Sequence, residues 1–377
     1  MVLNRKILKN LDYTFVITVI LLLIMGLLVV ASATHANSNP YFYVKRQALR
    51  IGLGVIIALV VLRFDYSIML KYTRFLYVFN MLFLFSVLVT GWAAKGSQAW
   101  LKFGEMVIQP SELAKIIIII TLAAFLAKRE RLDTLKDLMP VFMHVGAPLV
   151  LIMLQPDLGT GLVYLAITLG MVYVAGARAS LLLKIIGVCS AVVGLALFAH
   201  FKWGMPLPLE DYQLNRLIVF VNPYLDGRGG RGAGWHIIQS LVAIGSGGFW
   251  GKGLFEGTQV QGSFLPEQHT DFIFAVVGEE MGFIGGVVIL LLYFILLFRT
   301  LYIAQQAREN FGTLIAAGIC SMWGFHILEN IGMAIGIMPI TGIPLPFLSY
   351  GGSNMLANLM AVGLLLSINI RRQKILF

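Results

Sequence analysis

A chain of 377 residues, 59% of them hydrophobic and only 12% charged, with a mean hydropathy of +0.86, is too apolar for water to solvate as one globule. That excludes a soluble domain, and the unbroken apolar runs at 116–127 and 287–298 lack the two-residue alternation of barrel strands, which leaves membrane-spanning helices. The formal net charge of +10 would suggest nucleic acid in a soluble protein, but here it fits basic cytoplasmic loops. Cys189 and Cys320 lie within apolar segments and supply neither a disulfide framework nor a cysteine metal site.

Arg5, Lys6 and Lys9, an apolar stretch and then Ala31-Ser32-Ala33 imitate a signal peptide. The stretch at 13–31 exceeds the ~7–15 residues of a signal core, so an uncleaved first span is predicted. A span needs about 20 apolar residues. Taking the first at 13–33, further spans are predicted at 47–64, 72–92, 110–127, 140–155, 158–176, 180–200, 271–298, 311–336 and 349–370. The fold expected is all-α: a polytopic membrane protein of about ten transmembrane helices, a single integral domain over 1–377 with no clear internal repeat. Residues 201–270 form a long outer loop, glycine-rich from 227 to 262. Within it, 212–221 and 235–244 are apolar but too short to cross, so interfacial or re-entrant helices are expected. Basic residues set the orientation. Arg63, Lys71 and Arg74, then Lys128, Arg129, Arg131 and Lys136, then Arg299 and Arg308, and finally Arg371, Arg372 and Lys374 share the side of the termini. The opposite short loops hold mainly Lys45, Arg46, Lys95 and Lys102, which makes both termini cytoplasmic.

With that topology four polar motifs fall at outer helix ends. They are Gln109-Pro-Ser-Glu112-Leu-Ala-Lys115, Gln155-Pro-Asp157-Leu-Gly-Thr-Gly161, Leu265-Pro-Glu267-Gln-His269-Thr270-Asp271, and the segment from Thr341 through Ser349 to Ser353. Their convergence predicts one site at the outer leaflet. Asp271 stands where the third motif runs into an apolar helix, and a carboxylate there is costly unless solvated, paired or used.

The strings QPSELAK, QPDLGTG, LPEQHTDFIFAVVGEEMG and TGIPLPFLSYGGS resemble those of the SEDS family (shape, elongation, division and sporulation), and the likeness runs from the first helix to the C-terminus. LNRLIVFVNPYLDG, GAGWHIIQS and AIGSGGFWGKGLFEGTQVQGSFLPE are closer to the rod-shape branch of the family than to its division branch. The run at 227–232 departs from the pattern, where a shorter turn is expected. The resemblance implies a peptidoglycan glycosyltransferase that polymerises lipid II onto a growing glycan strand and works with a class B penicillin-binding protein, whose transpeptidase cross-links the strands. It also implies that Asp271 is the catalytic carboxylate.

Joining a lipid-linked diphospho-sugar to a hydroxyl with inversion needs a base for the hydroxyl proton. The diphosphate leaves readily and needs cations or helix N-termini rather than an acid. Asp271 suits the base; Thr270 and Asp271 also suit helix N-capping. Glu112 and Lys115 share a face at i, i+3, either as a neutralising ion pair or with Lys115 on phosphate and Glu112 orienting it. Asp157 is read as a cap for the sixth helix or a holder of an ion or partner. Lys45 and Arg46 run against the positive-inside bias, with Arg50 one turn deeper; they bind an anionic headgroup or diphosphate, or snorkel to the interface. Arg216 is a further candidate cation. Glu267, His269, Thr270, Ser349 and Ser353 complete the candidate binding set.

Glu279 and Glu280 lie roughly 12 Å further along the helix that Asp271 opens, and are read as paired within the bundle. His326 and Glu329, at i, i+3, are read as interhelical hydrogen-bonding groups before metal ligands. Gly282-x-x-x-Gly286 and Gly332-x-x-x-Gly336 suggest close helix packing. A divalent cation, Mg or Mn, would suit the diphosphate chemistry, but no carboxylate cluster demands one. The expected location is the bacterial cytoplasmic membrane with the site facing outward and lipids as neighbours; no nucleic-acid partner is expected. Two other readings stand beside the polymerase: a lipid II flippase, and a non-catalytic scaffold for the penicillin-binding protein. The near-bare inner halves of the spans argue against the flippase, with Glu279, Glu280, His326 and Glu329 as the exceptions.

Overall fold

Asp12 opens the bundle by accepting a hydrogen bond from the Phe15 amide at the N-cap of α1 (Tyr13–Ala33). The computed structural model describes residues 11–94, 97–104, 106–129, 132–207, 211–226, 229–232 and 234–372. Arg5, Lys6, Lys9, Lys95, Arg131 and Lys374, which helped to orient the chain, and the start of the 227–232 run lie outside the described residues. In chain order follow α2 (Pro40–Arg63), α3 (Thr73–Thr90), strands β1 (Trp92–Ala94), β2 (Ser97–Phe103) and β3 (Met106–Ile108), α4 (Pro110–Leu126), α5 (Leu135–Met153), α6 (Leu158–Val174) and α7 (Ala179–Trp203). The long loop carries α8 (Asp211–Val221), α9 (Gly234–Gly247) and α10 (Thr258–Gln261), and α11 (Ile273–Gln305), α12 (Asn310–Ala334) and α13 (Gly352–Ile370) complete the fold.

Each of the ten predicted spans has its helix. Among the described residues seven helical segments are long and apolar enough to cross a membrane by themselves. Of the other three, α4 and α6 have 17 residues each, about 26 Å at 1.5 Å per residue, and α2 carries Lys45, Arg46, Arg50 and Arg63. The core is built around α12 and α13, which are enclosed on nearly all sides, whereas α7 buries only Leu182. In a membrane such an exposed helix faces lipid rather than water.

Two features depart from the sequence reading. The first is an antiparallel sheet in the order β1-β2-β3, with Trp92 opposite Trp100 and Leu101 opposite Ile108. Three-residue strands are too short to show a period, and the sheet brings Trp100 toward the bundle end that the four motifs share.

The second is a break in α11 at Gly282, whose φ of 62° lies in the left-handed region. The long loop takes up the backbone groups freed there. Lys252 and Gly253 amides donate to the carbonyls of Glu279 and Glu280, and the Phe283 and Ile284 amides donate to those of Gly248 and Phe249. A Cβ on Gly282 would sit 2.2 Å from the Gly251 nitrogen, so only glycine allows this approach. The close packing read from Gly282 is therefore against loop backbone rather than against a helix. Gly332-x-x-x-Gly336 is a different case, because Gly336 lies just beyond the end of α12 with φ 77°.

The break also relocates two carboxylates. Residues 283–305 alone measure about 34 Å, enough to span, so Glu279 and Glu280 belong to the loop end of the bundle and not to its inner half. Glu279 accepts from Lys252 Nζ at 2.7 Å, the Gln259 amide at 2.8 Å and the Val260 amide at 3.1 Å, and holds α10 in place. Glu280 accepts from Ser32 Oγ at 2.7 Å at the end of α1.

Candidate functional site

The four motifs bring four helix N-termini, those of α4, α6, α11 and α13, to one cavity of about 200 Å³. Gln109 ties the first to the last by donating its amide N–H to Ser353 Oγ at 2.8 Å. Asp157 caps α6: its carboxylate accepts from the Thr160 amide at 3.0 Å and the Thr160 hydroxyl at 2.8 Å. The same group accepts from Gln109 Nε2 at 3.1 Å and Ser111 Oγ at 3.3 Å, which fixes α6 to α4. The capping reading of Asp157 thus describes the geometry.

Asp271 is positioned through its backbone. The amides of Thr270, Asp271 and Phe272 converge on the Glu267 carbonyl, and Thr270 Oγ1 donates to Glu267 Oε2 at 2.9 Å. Ser349 Oγ donates to the Thr270 carbonyl at 2.7 Å. Asn330 Nδ2 donates at 2.8 Å both to the Asp271 carbonyl and to that of Ile343. The N-cap position of α11 belongs to Phe272, so neither Thr270 nor Asp271 occupies it. The Asp271 side chain borders the cavity, with Oδ2 3.3 Å from where a Cβ on Gly342 would stand. Gly342 has φ 76°, so both the turn and the approach of the carboxylate call for glycine.

Arg216 reaches the cavity from α8 and donates from Nη1 to the Thr341 carbonyl at 3.3 Å. Glu112 borders it too, but Lys115 does not: its ammonium is 2.9 Å from Glu112 Oε1 and 3.1 Å from His326 Nε2, sealed inside the bundle. The contact with His326 Nε2 ties α4 to α12. Lys115 therefore stands behind Glu112, and direct contact with phosphate is not the geometry found. His326 makes an interhelical contact with Lys115, whereas Glu329 accepts from the hydroxyl of Thr341, in the segment between α12 and α13.

Of the sequence-predicted set, the cavity wall unites Asp271, Thr270, Glu112, Asp157, Arg216 and Ser353. Glu267, His269 and Ser349 support it from behind; the His269 ring contacts Tyr43 and Tyr350 with centroids 5.0 and 5.5 Å away. Lys45 and Arg46 lie elsewhere. Lys45 borders an open groove with Leu49 and Leu53, and the Arg46 guanidinium covers the Phe42 ring at 4.2 Å. Arg50 is better placed than either. Its guanidinium lies 4.5 Å from the Tyr350 ring centroid, next to Gly352, and its Nη1 is buried with no hydrogen-bond partner. The helical spacing from Arg46 is the signal that finds it. Trp100 and Tyr212, which belong to none of the four motifs, also line the cavity, with Tyr350 of the fourth.

Three carboxylates border the cavity, with Glu112 held by Lys115 and Asp157 by its capping bonds. Among the described residues no group of three or more His, Cys, Asp or Glu could hold a metal ion. Next to the cavity, His236 of α9 stacks on Phe272 with centroids 5.9 Å apart. Burial pushes its pKa down; Glu267 opposes that shift and Arg216 adds to it. Chemically, the cavity offers a carboxylate, one guanidinium at the wall with another behind it, and four positive helix ends. It suits a hydroxyl nucleophile beside a large anion.

Comparison with known proteins places this arrangement. The profile of the cell cycle protein family FTSW_RODA_SPOVE matches residues 12–374. Stage V sporulation protein E of Bacillus subtilis (strain 168) is 40% identical over 369 residues, covering 95% of this chain and 96% of that protein. Peptidoglycan glycosyltransferase MrdB of Escherichia coli (strain K12) is 36% identical over 364 residues, covering 97% and 95%. A chain of a solved peptidoglycan synthase complex, described as coordinating polymerization and crosslinking, superposes with a TM-score of 0.78 at 30% identity over 96% of this chain and 98% of that one. The sporulation relative and MrdB stand only four points of identity apart (40 minus 36), so overall identity does not sort the branches.

Proposed function

The chain belongs to the cell cycle protein family of FtsW, RodA and SpoVE, the SEDS family, and we propose from the chemistry of its cavity how it works. It is a membrane protein and a peptidoglycan glycosyltransferase. Its substrate is lipid II, and Asp271 is the general base. The acceptor hydroxyl oxygen attacks the anomeric carbon of the donor sugar as Asp271 takes the hydroxyl proton. The new C–O bond forms while the bond to diphosphate breaks with inversion, and the diphosphate leaves with the electron pair. General base catalysis of this kind contributes about 10²- to 10⁴-fold.

The leaving diphosphate is stabilised where it forms. Four helix N-termini face it, each worth about 0.3–1 kcal/mol near an anion. Arg216 adds a full charge at the wall, and the orphaned Nη1 of Arg50 is a second donor for it. Lys115 acts through Glu112, whose carboxylate it holds at 2.9 Å at the cavity wall. The observation that carries the reading is that Asp271, Arg216 and four helix N-termini share one cavity.

On this reading residues 1–377 form one functional unit. The positive-inside pattern sets the cavity on the outer face with both termini cytoplasmic. The partner is a class B penicillin-binding protein, and the loop strings assign the role to elongation. Of the polar residues a flippase path would have used, Glu279 and Glu280 are engaged at the loop end, Glu329 bonds Thr341 of the cavity wall and His326 meets Lys115 inside the bundle, which favours chemistry over transport.

The test is polymerisation of purified lipid II in detergent by the chain with its penicillin-binding partner. Intact protein yields glycan polymer on a gel, and Asp271→Asn, folded to the same thermal midpoint, yields none. Equal polymer from both removes Asp271 from the mechanism, and headgroup translocation in liposomes without polymer returns the flippase.

A further inference from the structure

Pro148 sits inside α5 and has no N–H to give the His144 carbonyl four residues earlier. Tyr77 of α3 supplies the missing donor, its hydroxyl meeting that carbonyl at 2.8 Å. The same contact lays the His144 ring against Tyr77, with centroids 4.3 Å apart, and Phe125 of α4 flanks it on another side at 5.0 Å. These rings form the floor of a cleft of about 490 Å³ between α3, α4 and α5. It lies at the far end of α4 from Asp271, since α4 begins at the catalytic cavity and the cleft takes Thr121 through Lys128.

The polar groups of the floor are already committed. Thr121 Oγ1 donates to the Ile118 carbonyl and so can accept the His144 Nε2–H, 3.3 Å away. The mouth is different. Arg74, in the first turn of α3, and Lys128, just past the end of α4, both line it and both are exposed. Among the described residues no acidic residue lines the cleft and neither cation forms an ion pair. Two like charges and a helix N-terminus at one opening favour an anion between them. The side of the cleft is apolar and continues onto the bare face of α3, where Phe75, Val78, Phe79 and Leu82 are exposed to the membrane.

We propose that this cleft binds an anionic phospholipid, with the phosphate between Arg74 and Lys128 and one acyl chain laid along Val78 onto the Tyr77 and Phe125 rings. The volume falls within the ~300–1,000 Å³ of small-molecule sites. A soluble anion would match the mouth and leave the apolar body unfilled, whereas a zwitterionic lipid would fill the body and gain little at the mouth.

Native mass spectrometry of the intact chain, released from detergent containing equal phosphatidylglycerol and phosphatidylcholine, tests this. The expected result is one retained phosphatidylglycerol, favoured at least fivefold over phosphatidylcholine. That preference should disappear in the double variant Arg74→Gln, Lys128→Gln. Val78→Trp, which blocks the cleft from its exposed side and leaves both charges, should lower retention by a similar factor even if the double variant folds poorly. Equal retention of the two lipids, or unchanged retention in folded variants, overturns the proposal. Displacement of the lipid by millimolar inorganic phosphate also overturns it, assigning the mouth to a soluble anion.

Discussion

Asp271 and Glu279 are carboxylates eight residues apart at the loop end of one polypeptide stretch, and the structure uses them in opposite ways. Glu279 is wholly buried and surrounded by donors, three of them within 3.1 Å, so its charge is spent on holding the long loop to α11. Asp271 is held through its backbone, by Asn330 and the Glu267 turn, while its side chain borders a cavity. A carboxylate enclosed by donors of its own protein is structural; one whose main chain is pinned and whose side chain borders a cavity lies within reach of a substrate.

Exchanging each acid for its amide breaks or sharpens that contrast. Asp271→Asn should cost about 10²- to 10⁴-fold in polymerisation and leave the thermal midpoint where it was. Glu279→Gln should do the reverse. Lys252 is partly exposed, so removing the charge of its buried partner costs less than the ~3–5 kcal/mol of a fully buried pair, read as a lowered midpoint and faster amide exchange over 246–262. If Glu279→Gln keeps its stability and loses activity, the two acids are not divided as described. Arg216→Gln is a smaller step, about tenfold in kcat/KM or about 1.4 kcal/mol, because four helix ends and Arg50 still face the leaving group. An effect as large as that of Asp271→Asn would make Arg216, rather than the helix ends, the main stabiliser of diphosphate.

The sequence allowed the four motifs to be placed at one end because each joins a proline or acidic residue to the start of an apolar helix, and such starts are local signals. Asp271, Glu112, Asp157, Thr270 and Ser353 came through that route, and Arg216 separately, as a cation of the long loop. The side-chain directions of Lys115 and Lys45 did not. In a bilayer the lipid face and the core face of a helix are both apolar, so the period that tells inside from outside in a soluble helix is lost. Only the packing of α2 against α13 reveals that Arg50, and not Lys45, is turned toward Gly352. The break at Gly282 was hidden for another reason. Its compensating groups are Gly248 to Gly253, some thirty residues earlier, and nothing local to Gly282 separates a packing glycine from a left-handed one. The sequence reading accordingly sets Glu279 and Glu280 at the wrong depth, and its pairing within the bundle is for Glu279 a pairing with the loop and for Glu280 a hydrogen bond from Ser32.

The smallest expected effect lies on the loop side of the same comparison, at His236. Burial against Phe272 lowers its pKa below the ordinary histidine value, so the folded loop prefers the neutral ring. The unfolded chain binds the proton more readily, and stability therefore rises with pH across the interval between the two values. The contribution of His236 is complete above about pH 6.5, the unperturbed value, and falls away as pH drops toward the lowered one. Amide exchange over 234–247 should then quicken between pH 7.5 and 5.5, after correction for intrinsic rates, and a His236→Phe variant should show no such change. Glu267 opposes the shift, so Glu267→Gln should leave the onset near the unperturbed value of about pH 6.5, extend the loss to lower pH and make it larger at pH 5.5. An onset moved upward by that variant would mean that the loop answers to a different titrating group.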